Sequence, residues 1–96
     1  MKIVVNKCED GFWLSEKAEN MLAKMTNMNV YDFWAKKYRN HPALITVVEK
    51  LSKESYDEVS DLAIVEIPDT ATDWDICIYD GIEEVIYVLD GKIHHA

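Results

Sequence analysis

Apolar and polar positions change their period along the chain, and each change predicts an element. Ile3-Val4-Val5, set between Lys2 and Asn6, is β-branched and reads as a strand. Asp10-Gly11 is a turn signal, followed by Phe12, Trp13 and Leu14. Ser15 suits a helix N-cap, with Glu16 in the first turn. Ala18, Met21, Leu22 and Met25 then recur at helical spacing until Asn27 to Asn29. Pro42 suits a first helical position, and Leu44, Val47, Val48 and Leu51 predict a helix from Pro42 to Lys53. Leu62 to Ile67 is a β-rich run stopped by Pro68-Asp69. Asp73 to Tyr79 alternates strictly, with Trp74, Ile76 and Ile78 on one side. Asp80-Gly81 and Asp90-Gly91 are turn pairs around a strand at Val85 to Leu89. Lys92 to Ala96 either returns as a short strand or trails off.

Val30 to Arg39 fits both a helical stripe and a strand alternation, so periodicity leaves it open between a short helix and a loop with helical turns. Helices followed by strands predict an α+β domain over residues 1–96, a small antiparallel sheet with two to three helices packed on one face. Leu62 to Gly81 reads as strand, turn, strand, the floor of the core. The first strand is a candidate for insertion among the later ones.

Composition changes this picture in two places. The 96 residues make one domain, short enough that homo-oligomerisation is a natural source of added stability. The net charge of −8 is uneven: residues 1–48 hold seven Lys/Arg against five Asp/Glu, residues 49–96 three against thirteen. An acidic half repels phosphates and argues against direct DNA binding. It leaves room for a basic partner, or for phosphate binding confined to the first half. No apolar run is long enough for a membrane span or a signal-peptide core, which predicts a cytoplasmic protein. Cys8 and Cys77 stand alone and read as free thiols.

Candidate chemistry is sparse. Gly-rich phosphate loops, zinc-protease spacing and a serine elbow are missing from the sequence, and no cofactor or metal is expected. Asp73, Asp75, Asp80 and Glu83 read as a solvated sheet face before a cation site, and His94-His95 as a solvated tail before a metal site. Glu66 alternates with Leu62 and Ile64, which puts a carboxylate on an apolar face and calls for a partner, with Arg39 the candidate. Tyr31, Phe33, Trp34 and Tyr38 lie beside Lys36, Lys37 and Arg39, either as core packing with solvated cations or as a ligand surface of rings and charge. Asn6 and Lys7 end the first strand. Arg39, Asn40 and His41 precede the Pro42 helix, whose first N–H groups favour anions. With Phe12, Trp34 and Tyr38 to stack a base and Glu66 within reach, these residues form the candidate ligand site. The competing reading is a structural arginine beside a helix cap.

The series Lys-Ile-Val-Val-Asn-Lys-Cys, Gly-Phe-Trp-Leu-Ser-Glu-Lys-Ala, Arg-Asn-His-Pro-Ala-Leu, Leu-Ala-Ile-Val-Glu-Ile-Pro-Asp and Trp-Asp-Ile-Cys-Ile-Tyr-Asp-Gly-Ile-Glu covers nearly the whole chain. It resembles a widespread family of small uncharacterised proteins encoded by bacteriophages and some large DNA viruses. The family pattern usually has an acidic residue where Asn40 stands and a basic, aromatic tail where this chain has Lys-Ile-His-His-Ala. The resemblance implies a viral accessory protein in the host cytoplasm and carries no catalytic set. Together with the candidate site, it leads to an expected non-enzymatic, counter-defence protein that sequesters a small, cyclic or linear nucleotide signal. The alternatives are an acidic inhibitor or nucleic-acid mimic acting on a host protein, and a small hydrolase using acidic residues.

Overall fold

The structure is a computed structural model and describes residues 1–58 and 60–96. The strands are β1 (Lys2–Asn6), β2 (Leu62–Glu66), β3 (Asp73–Tyr79), β4 (Ile82–Leu89) and β5 (Lys92–His95). The α-helices are α1 (Glu16–Thr26) and α2 (Pro42–Leu51). Val30–Trp34, Lys36–Tyr38 and Ser52–Ser55 form 3₁₀ turns. The ambiguous stretch is therefore helical in short pieces, and α2 stops two residues before the expected Lys53. Ser55 to Asp61 reads in the sequence as a polar connection, and its Val59 lies outside the described residues.

This is an α+β fold, with the strands in two antiparallel sheets, β1-β2 and β3-β4-β5. Two expectations are corrected by that pairing. β1 does not insert among the later strands, and Leu62 to Gly81 is not a hairpin: β2 pairs with β1, while β3 pairs with β4. The reason lies in how β1 is buried. Its alternate side chains are apolar on both faces, so it needs cover on both sides. Val4, with Leu62 and Ile64 of β2, packs on the helices among Leu22, Phe33, Leu44 and Val47. Ile3 and Val5 pack the other way, onto Ile76 and Val85 of the three-stranded sheet. The β1-β2 ribbon is thus the middle of three layers.

Local chemistry sets the element ends. The Ser15 hydroxyl accepts from the Ala18 N–H at 3.1 Å, and Asn27 ends α1 in the left-handed region at φ 56°. Both β3-β4 and β4-β5 turn through two residues with positive φ: Asp80 at 51° and Gly81 at 80°, Asp90 at 52° and Gly91 at 75°. That is the type I′ geometry whose twist suits a tight hairpin. Gly81 has a further reason: a Cβ there would overlap the backbone carbonyl of Glu9. The alternation of β3 holds, but only Ile76 is fully buried. Ile78 is 56% exposed near the hairpin end of the outer sheet, although its cross-strand partner Glu83 is buried.

Candidate functional site

Two charged regions flank the Lys36–Asn40 segment, one closed and one open. The closed one is built on Arg39, 2% exposed, and Glu83, 3% exposed. The two pair through both carboxylate oxygens: Nη1 donates to Oε1, and Nη2 donates to Oε2 at 2.8 Å. The remaining guanidinium donors reach main-chain carbonyls: Nε to Phe33 at 3.1 Å, Nη1 to Val4 at 3.3 Å and Nη2 to Trp34 at 3.0 Å. All five guanidinium N–H bonds have acceptors, as a buried arginine requires. The Phe12 ring lies 3.6 Å from the guanidinium carbon and covers its face. Glu83 Oε1 also accepts the Asn6 backbone N–H at 2.8 Å.

Asn6 extends this network to the loops. Its Nδ2 donates to the carbonyls of Cys8 at 2.6 Å and Gly81 at 3.1 Å. Its Oδ1 accepts the Cys8 N–H at 3.1 Å and the Asp61 N–H at 3.0 Å. Buried Ser60 donates to the Gly11 carbonyl at 2.6 Å and accepts the Trp13 N–H at 2.9 Å. Together these bonds pin the Cys8–Gly11 turn against the β3-β4 hairpin.

The partner expected for Arg39 is thereby corrected. It is Glu83, not Glu66. Glu66 is exposed at the end of β2, opposite Lys2 in the β1 register. A predicted strand beginning at Val85 leaves Glu83 a solvated acid. β4 starts at Ile82 instead, and the alternation Glu83, Val85, Tyr87 carries Glu83 to the inner face. Ser60 gave no comparable signal in the sequence.

The other candidate residues divide. Asn6, Phe12 and Arg39 are buried in the network just described. His41 caps α2 itself, its Nδ1 accepting the Ala43 N–H at 3.1 Å, which fills the helix start expected to meet an anion. Lys7 is exposed and donates from Nζ to the Glu83 carbonyl at 3.1 Å. Trp34 is half-buried between Phe12 and Trp13, with edge contacts at 5.5 and 5.9 Å. Tyr38 packs on Phe33 at 5.9 Å under the Lys37 ammonium. The structure does not bring these residues to one open surface.

The open region lies on the other side of the same segment. Lys36, Lys37, Asn40, Trp74 and Asp75 line a cleft of about 400 Å³. Of these, only Asn40 belongs to the expected site. Lys36 Nζ stands 3.7 Å from Asp75 Oδ1, and both side chains face solvent. Trp74, on the inner face of β3, is half-buried and offers part of its ring to the cleft. The sequence showed the cations but not that β3, far along the chain, would supply the ring. Among the described residues no group of three His, Cys, Asp or Glu can hold a metal ion, and no helix is long and apolar enough to cross a membrane. Cys8 and Cys77 are free thiols.

Compared with known proteins, the chain matches no family model, no curated protein and no solved structure.

Proposed function

We propose that this chain binds a small anionic ligand of the nucleotide class, cyclic or linear, in the cleft beside Lys36, and holds it without transforming it. The observation that carries the reading is the composition of that cleft: two exposed lysines, an amide, a tryptophan and one carboxylate. Ammonium groups meet phosphates as adaptable point charges, and an indole face stacks on any base. Asn40 and Asp75 supply a donor and acceptors for base edges. Glu83, one of the acids a hydrolase reading would need, has both oxygens engaged by Arg39. The wider role, a phage accessory protein that withholds a host signal in the host cytoplasm, rests on the resemblance of the ordered motifs.

Titration calorimetry against a panel of cyclic and linear nucleotides tests the reading. Binding by at least one of them is expected, weakened tenfold or more by Lys36→Ala with Lys37→Ala. No heat and no thermal stabilisation from any nucleotide at millimolar concentration overturns it.

A second reading is an acidic inhibitor of a host protein. It is favoured by the outer face of the β3-β4-β5 sheet, where Tyr79, Ile82 and Ile93 are exposed beside Asp73, Asp75 and Glu84. Salt-sensitive capture of a basic host enzyme, lost when Tyr79 and Ile93 become Ser, would select this reading over the first.

A further inference from the structure

β3 is an edge strand: its one neighbour in the sheet is β4. Along such an edge every second N–H points away from the sheet and can receive another chain. Two of these donors are already used within the strand. The Trp74 N–H donates to Asp73 Oδ1 at 2.9 Å, and the Ile76 N–H donates to Asp75 Oδ1 at 2.7 Å. Asp75 Oδ1 is also held from outside the strand, 3.7 Å from Lys36 Nζ. By the same alternation the next outward N–H is that of Ile78. The residue before it is Cys77, which has no carboxylate to offer.

We propose that Asp73 and Asp75 close the β3 edge to strand pairing. An incoming strand must take the Trp74 and Ile76 N–H groups as donors. To do so it displaces two carboxylates from charge-assisted hydrogen bonds and breaks the contact of Asp75 with Lys36. It must also bury those polar side chains or push them aside, which an apolar residue would not require. Uncapped, the same edge would be a hazard: Trp74, Ile76, Ile78 and Tyr79 are apolar or aromatic, and Tyr79 is 80% exposed. The strict Asp-x-Asp spacing of the strand therefore has a use that does not depend on any ligand. It keeps a flat, apolar edge from joining a second copy of itself.

The test has two arms. In amide hydrogen exchange on the intact chain, Trp74 and Ile76 are expected to exchange about tenfold or more slowly than Ile78, the value of a charge-assisted bond. In sedimentation at matched concentrations, Asp73→Val with Asp75→Val is expected to gain mass over the wild type, increasingly with concentration. Asp73→Asn with Asp75→Asn, which keeps an oxygen acceptor at each position, is expected to stay at the wild-type mass. Exchange at Trp74 and Ile76 as fast as at Ile78 overturns the proposal. So does a folded Val variant whose mass equals that of the wild type. If the Val variant fails to fold, the exchange comparison on the wild type decides alone.

Discussion

Arg39 and Lys36 stand three residues apart, at the end and the start of one short helical turn, and they have opposite fates. Arg39 is buried with every donor bonded. Lys36 lies at an open cleft with one loose carboxylate contact. The side-chain chemistry fits the division. A planar guanidinium can satisfy five bonds in fixed directions and stack on Phe12, so it can be buried beside a carboxylate. An ammonium on a flexible stem is better left where it can find a moving anion. A cation beside rings is therefore not a sign of a binding site; the geometry of its donors decides whether it is spent on the fold.

The largest effect expected from this division is on stability. Glu83→Ala leaves a buried guanidinium without its carboxylate and should cost about 3–5 kcal/mol, read by urea unfolding. Replacing both partners, Arg39→Met with Glu83→Leu, should recover much of that loss, since no buried charge is then orphaned. If the double variant is no more stable than Glu83→Ala alone, the network is not the simple ion pair described. Asn6→Ala comes next. It orphans backbone groups in the Cys8–Gly11 turn and at Gly81, and a loss of at least about 2 kcal/mol is expected in the same assay. Gly81→Ala forces the hairpin off Glu9 and should cost about 1–3 kcal/mol, with thermal unfolding as the check. The smallest stability effect belongs to the open side. Lys36→Ala with Lys37→Ala should change stability by no more than about 0.5 kcal/mol while lowering nucleotide affinity. That affinity should also fall as salt rises from about 0.05 to 0.5 M, which screens exposed charges far more than a buried pair.

Much of the fold was legible because its signals are local. Ser15 before a helical stripe, Pro42 at a helix start, and Asp-Gly pairs between β-rich runs each act within a few residues. The split into two sheets was not. It follows from β1 being apolar on both faces, and a three-residue apolar run says only that it is a strand, not that it needs two covers. Of the candidate site, the stretch was found but the roles were not. A strand that starts at Val85 hides Glu83, the true partner of Arg39; β4 starts three residues earlier, at Ile82. Alternation tells which face Trp74 takes, not how far the neighbouring layer covers it.

Which cation meets a ligand is tested most directly by a nucleotide titration followed by heteronuclear NMR. Resonances of Lys36, Lys37, Asn40 and the Trp74 indole are expected to shift together and saturate at one affinity. The Arg39 Nε–H, bonded to the Phe33 carbonyl, is expected to stay where it is. A titration that moves Arg39 and leaves Trp74 and Lys36 unchanged would contradict the division between a closed structural pair and an open binding cleft.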